Sequence, residues 1–197
     1  VWLAPQASAF DAALLMVEHQ IGHVCLVQDH KVVGMVSERD VFSLQRVDLV
    51  HLSRALRCAQ DVSGLVRLQA DIGRLVDAML AHGARSEQLT AVITRLNDHT
   101  VQRTIELSLP GSGLDGIEFC WLAFGSQARG EQTRHTDQDN GILFSASSPE
   151  QANAYRALLL PFARRVNEAL DRCGMAWCTG NIMASNPELC LSEAEWL

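Results

Sequence analysis

No apolar run in this 197-residue chain is long enough to span a bilayer, and no secretory leader is recognisable at its start. None of the six cysteines (Cys25, Cys58, Cys120, Cys173, Cys178, Cys190) forms a Cys-x-x-Cys pair, which removes the commonest zinc and redox spacings. Several lie in apolar context, where free cysteine behaves as a small hydrophobe, so a reducing cytoplasm is the expected compartment. Positive charge is also short. The formal net charge of −7 argues against broad nucleic-acid or anionic-membrane binding. No repeat or low-complexity tract interrupts the chain. Seven histidines are present, and His19 and His23 are four apart. Ile21-Gly22 ends the expected helix between them, so they share no face and read as packing or surface residues.

What is present suits a globular chain of one large or two small domains. Hydrophobic residues make up 48% and charged residues 20%, enough for a sizeable core. The most informative stretch is Gly125-Ser126-Gln127-Ala128-Arg129-Gly130-Glu131, continuing to Thr136-Asp137-Gln138-Asp139-Asn140. An apolar run, residues 117–124, leads into it and Gly141-Ile142-Leu143-Phe144 follows. The pattern predicts a buried strand, a Gly-Ser turn, a short helical turn and a second strand opening with both aspartates. On that strand Asp137 and Asp139 would share a face. Two carboxylates about 5 Å apart repel by roughly 3 kcal/mol at an effective dielectric of 20. A hard divalent cation with oxygen ligands relieves such a pair. Taken alone, DQDN also reads as an Asx turn with no metal; the apolar strand and Gly-Ser turn before it favour the metal. Gly125 admits close backbone approach, and Ser126 places a hydroxyl near free N–H groups that can hold phosphate oxygens. No Gly-Lys-Ser/Thr follows, which excludes a Walker loop.

A Gly-Ser turn followed by Asp-x-Asp resembles the signature of the DNA polymerase beta-type nucleotidyltransferase superfamily. The longer string GSQARGEQTRHTDQDNGILF resembles the nucleotidyltransferase domain of bacterial CBS-domain signalling proteins, akin to the protein-PII uridylyltransferase of nitrogen regulation. The resemblance implies Mg²⁺ (or Mn²⁺) held by catalytic Asp137 and Asp139, with Gly125, Ser126 and Arg129 binding the nucleoside triphosphate. Glu131 reads as a partner for Arg129 or a turn cap. The superfamily also implies a third carboxylate on a later strand. Glu150, Glu168, Asp171, Glu188, Glu193 and Glu195 all lack strand context, so that group is expected beyond Leu197, leaving residues 111–197 an incomplete domain that transfers little. The chain also reads as a piece of a longer polypeptide.

The remaining segments fall into place around this one. Residues 1–47 predict a helix over 7–20 stopped at Gly22, strands over 23–28 and 32–37 joined at Asp29-His30-Lys31, and a helix from Glu38. GHVCLVQDHKVVGMVSERDVFSL resembles one CBS (cystathionine-beta-synthase-type) motif. Such motifs pair and bind adenosine nucleotides, and the resemblance implies Ser37 and Asp40 as contacts. Ser37 with Asp40 is equally a capping box, and with a single motif in view adenosine nucleotides are expected to bind poorly. Residues 48–110 predict two amphipathic helices in a hairpin, the first stopping near His82-Gly83, with Pro110-Gly111-Ser112-Gly113 as a boundary. After a polar loop broken by Pro149, residues 152–172 predict a long helix containing Pro161. A Gly/Asn-rich loop over 177–187 follows, and resembles the family's Gly-x-x-Met-Ala-Ser-Asn-Pro string, with Leu189 where that family places an aromatic residue.

The expected fold class is α/β (α+β): a nucleotidyltransferase-like mixed sheet with flanking helices, preceded by a helical hairpin and a CBS-like unit. The expected function is transfer of a nucleoside monophosphate from a nucleoside triphosphate to an acceptor hydroxyl, with a protein acceptor and a homodimer through the CBS motifs among the partners and neither nucleic acid nor membrane. The competing reading is a regulatory module that senses nucleotide and Mg²⁺ without turnover.

Overall fold

The computed structural model describes residues 1–45, 49–81 and 84–197. The expected boundary near residues 47–48 and the helix stop at His82-Gly83 lie outside the described residues. No described helix is long and apolar enough to cross a membrane.

The N-terminal unit is built on helix α1 (Ala9–His19) and a three-stranded sheet of β1 (Trp2–Leu3), β2 (His23–Gln28) and β3 (Lys31–Ser37). Ser8 caps α1 as a capping box: its hydroxyl accepts from the Asp11 N–H, and the Asp11 carboxylate accepts from the Ser8 N–H. The helix ends earlier than Gly22, because Gln20 turns left-handed (φ 55°) and donates its N–H back to Met16 and Val17. Asp29 and His30 both take positive φ, giving the tight turn between β2 and β3. Phe10, Met16 and Val17 of α1 are buried with Val24 of β2. Trp2, Val33 and Met35 are left more than half exposed. Helix α2 (Glu38–Gln45) follows directly.

Three helices come next, rather than the expected two: α3 (Leu49–Arg57), α4 (Val62–Ala81) and α5 (Ser86–Ser108). Leu49, Leu52 and Leu56 are spaced at three and four and bury one face of α3; the short run is a full helix because α4 and α5 pack against it. α5 joins the two halves. Val92, Ile93 and Leu96 belong to the N-terminal core, whereas Val101, with Ile105 packed beside it, belongs to the C-terminal one.

The C-terminal half is a mixed sheet of β4 (Phe119–Ala123), β6 (Asn140–Phe144) and β8 (Cys190–Ser192), antiparallel then parallel. Helix α7 (Pro149–Arg172) packs on it through Leu159, Phe162, Ala163, Val166 and Leu170. Phe119 meets Phe162 edge to face at 5.6 Å. Pro149 opens α7 rather than breaking the chain before it. Ser148 is the N-cap, and a proline in the first turn loses no hydrogen bond. A short pair, β5 (Thr136–Asp137) with β7 (Met175–Ala176), runs parallel beside this sheet. The turn α6 (Gly125–Ala128) follows β4, and a one-turn 3₁₀ helix (Pro187–Leu189) and α8 (Glu193–Trp196) flank β8. The chain is thus an α+β protein with mixed sheets and flanking helices, as its sequence led one to expect.

Candidate functional site

Asp137 and Asp139 do not share one strand. Asp137 ends β5, paired to β7, and β6 starts only at Asn140, paired to β4. Between them the chain leaves one partner and joins another, so Asp139 lies at the crossing. Alternation nevertheless holds: Gln138 and Asn140 are buried while Asp137 is exposed and Asp139 half-exposed.

A buried amide network enforces that alternation. The Gln138 side-chain amide donates to the carbonyls of Asn167 (3.0 Å) and Met175 (2.9 Å). The Asn167 amide donates to Gln138 Oε1 (2.8 Å) and Asn140 Oδ1 (3.0 Å). Asn140 Oδ1 also accepts from the Ala184 N–H (2.8 Å), and Asn167 Oδ1 from the Ser185 N–H (3.2 Å). The Gln138 and Asn167 amides both donate and accept, and the Asn140 oxygen accepts twice, so the network ties the aspartate segment to α7 and to the loop over 177–186. With the even residues held inward, the odd carboxylates are held outward.

The carboxylates meet the turn at Gly125. Phe124 donates its N–H to the Asp139 carbonyl (2.9 Å), so α6 begins directly against Asp139. Gly125 has φ 52°, and a Cβ there would collide with the Asp139 carboxylate. Glycine is required on both counts. Ser126 is half-buried on this turn, and its carbonyl accepts from the Glu131 N–H (2.8 Å). Arg129 is exposed and ion-paired with Glu131 (2.7 Å), which resolves the two sequence readings of Glu131 in favour of the pair.

Asp137 and Asp139 form no ion pair and no side-chain hydrogen bond among the described residues. A third donor stands beside them. Oxygens of Asp137 and Asp139 and the Cys178 sulfur all lie within 4.8 Å of one another, a set that could hold a metal ion. Two carboxylates with no cationic partner and one further donor fit a divalent ion. Sequence reasoning missed Cys178, the amide network, and the strands β7 and β8. No local signal marked Cys178: it follows β7 by two residues, and it is brought to the aspartates where that short strand pairs with β5 and the chain then turns.

The later acidic residues stay apart from this group. Glu195 accepts from Ser192 and pairs with Arg156; the backbone and side-chain hydrogen bonds from Ser192, then Arg156, pull its carboxyl down to about 2. Glu168 pairs with Arg164 (3.0 Å). Glu150 sits in the first turn of α7.

A cleft of about 500 Å³ lies on the other side of α6, lined by Glu18 of α1, Arg95 and Asp98 of α5, and Gln127 to Gly130. Arg95 donates to Glu18 (2.7 Å), and Gln127 donates to Asp98 (3.0 Å). Burial pushes the Asp98 carboxyl up, against the opposing pull of Gln127 and Arg95. Ser37 and Asp40 meet as a capping box at the start of α2: the Ser37 hydroxyl donates to Asp40 (2.6 Å), which also accepts from the Ser37 N–H (2.9 Å).

A mixed sheet carrying a Gly-Ser turn against two converging aspartates, joined to a helix-strand-strand-helix unit, defines a nucleotidyltransferase-like protein with a CBS domain. The family model described as "Putative nucleotidyltransferase DUF294" matches residues 70–197, and the chain belongs to that family. The CBS domain model matches residues 1–46. The transferase match starts within α4, so it takes in all of α5. No curated protein and no solved structure matches the chain.

Proposed function

We propose that the chain carries the metal- and nucleotide-binding residues for transfer of a nucleoside monophosphate from a nucleoside triphosphate to an acceptor hydroxyl, in a regulated enzyme of a bacterial signalling pathway. The observation that carries this reading is the convergence of the unpaired Asp137 and Asp139 carboxylates on the Gly125 turn. Asp137 and Asp139 are the residues that would hold Mg²⁺ or Mn²⁺, which supplies charge neutralisation of the triphosphate and activation of the acceptor. Gly125 and Ser126 leave room for phosphate oxygens at the start of α6. Arg129, exposed and paired with Glu131, would exchange that partner for the leaving pyrophosphate. The acceptor oxygen bonds to the α-phosphorus, the bridge to the β-phosphate breaks, and the hydroxyl proton passes to solvent.

Regulation through the N-terminal unit has a physical route in this reading. Glu18 on α1 is tied to Arg95 on α5, and Asp98, one turn further, is tied to Gln127 inside α6. A change in α1 therefore bears on the turn that positions Gly125 and Ser126. The acceptor class that fits a signalling role is a protein side chain. We further propose that the CBS-like unit, residues 1–47, pairs with a second copy, and that residues 48–110 connect it to a transferase domain over 111–197.

The test is incubation with α-labelled nucleoside triphosphates, Mg²⁺ and cell extract. Label should pass to a macromolecule with release of pyrophosphate, only weakly while no third carboxylate joins Asp137 and Asp139, and the Asp137→Asn/Asp139→Asn double variant should transfer none. Thermal stability should rise with nucleotide only when a divalent ion such as Mg²⁺ or Mn²⁺ is present, by mass action on the folded state. Equal stabilisation by nucleotide in EDTA would overturn the metal-bridged site. Metal-dependent stabilisation with no transfer would favour a nucleotide sensor instead.

A further inference from the structure

We infer that Cys178 is a third ligand at this centre and makes it prefer a thiophilic divalent ion, of which Zn²⁺ is the representative, over Mg²⁺. The inference rests on the metal-binding reading of Asp137 and Asp139, and adds the identity of the ion.

Three observations converge on Cys178. Its sulfur lies within 4.8 Å of both carboxylates, a spacing that a single ion can bridge with small side-chain adjustment. Its backbone is also held. Beyond the Asp137–Ala176 pair, Gln138 donates its N–H to the Ala176 carbonyl (2.9 Å), and Asn140 donates to Ile182 (3.0 Å). Residues 176–182 are thereby laced to the aspartate segment at both ends. Within that span Asn181 donates its N–H to the Cys178 carbonyl (3.0 Å), closing a tight turn with Asn181 at φ 56°. Among the described residues no cation forms an ion pair with either carboxylate, and Arg164, whose guanidinium lies over the Trp177 ring, pairs with Glu168. Of the His, Cys, Asp and Glu side chains among the described residues, Cys178 is the one that groups with the two carboxylates.

Chemistry then selects the ion. Mg²⁺ demands near-octahedral oxygen ligation, and a thiol adds nothing to it. Zn²⁺ binds thiolate and carboxylate together, and three protein ligands leave its fourth position open to a phosphate oxygen or water. The thiol proton leaves to solvent as the metal–sulfur bond forms.

The experiment uses the full chain without nucleotide and measures alkylation of each cysteine by peptide mapping, with Zn²⁺ or Mg²⁺ added. Exposed Cys58 and Cys120 serve as internal references. Zn²⁺ should slow alkylation of Cys178 by at least ~10-fold relative to Cys58 and Cys120, while Mg²⁺ at the same concentration should leave it unchanged. Protection should vanish in Asp137→Asn/Asp139→Asn. With Cd²⁺ as a spectroscopic probe, wild type should show thiolate charge-transfer absorption that Cys178→Ser lacks. Cys178→Asp should shift preference back towards Mg²⁺ and Mn²⁺, and it keeps the test informative should Cys178→Ser fold poorly. Unprotected Cys178 in a protein that still shows Mg²⁺-dependent nucleotide stabilisation would overturn the inference and leave the transferase reading standing. Loss of both effects would overturn the two together.

Discussion

At the scale of single residues, Gly125 is the position with least freedom. Its left-handed φ and the Asp139 carboxylate packed over it each exclude a side chain. Gly125→Ala should cost about 1–3 kcal/mol of stability, read from denaturant midpoints at unchanged slope. It should also remove the metal-dependent nucleotide stabilisation, because relief of the collision moves Asp139. A variant that keeps both properties would show that the close approach is dispensable. Gly125, Ser126, Asp137 and Asp139 were all legible in the sequence, since Gly-Ser and Asp-x-Asp are local patterns with local chemistry. Cys178 was not, because its Gly/Asn-rich, charge-poor loop suits a place near a ligand without marking the sulfur as a donor. Its neighbour Asp139 is distant in sequence and is brought near by the β5–β7 pairing and the backbone hydrogen bonds that follow it.

At the scale of elements, the start of α2 separates stabilisation from ligand binding. Asp40 is held below the usual carboxylate range chiefly by the Ser37 hydroxyl and then by the Ser37 N–H. A carboxyl lowered in the folded state adds stability above its unfolded pKa, and that stability is lost as pH falls through the lower folded value. Asp40→Ala should therefore lower the unfolding midpoint at neutral pH and flatten its decline in acid, followed by calorimetry across pH. The same variant should change the weak affinity for AMP or ATP little. Tight adenosine-nucleotide binding abolished by Asp40→Ala would reverse this assignment. The helix end at Ser37 was readable in advance as a capping box, whereas the same side-chain-to-backbone contacts at Ser8 and Ser148 were not read. β7 and β8 were not readable, being two and three residues long; their pairing to β5 and β6 makes them strands.

At the scale of the whole molecule, the first sheet leaves Trp2, Val33 and Met35 facing outward. Contiguous apolar exposure on a sheet marks an association surface, and the proposed occupant is a second copy of this unit. Met35→Glu with Val33→Lys should shift sedimentation towards the monomer while leaving the unfolding midpoint of the isolated chain nearly unchanged. A wild-type chain that sediments as a monomer at all accessible concentrations would rule out self-pairing through this face. Such a surface would communicate with the site through α1, the Glu18–Arg95 pair, α5 and the Asp98–Gln127 contact.

By itself the sequence determined the α+β class, the CBS-like order of elements, the Gly-Ser turn and the two aspartates. Each rests on periodicity, capping or turn chemistry acting within about ten residues. Tertiary structure decided the rest. It divided the aspartate strand between two partners, because Asp137 pairs with β7 and Asn140 with β4. It aimed both carboxylates outward through the buried Gln138, Asn140 and Asn167 amides, which must satisfy one another or lose their hydrogen bonds. It also brought Cys178 to the pair, because the β5–β7 pairing and the backbone hydrogen bonds after it join segments that no local rule connects.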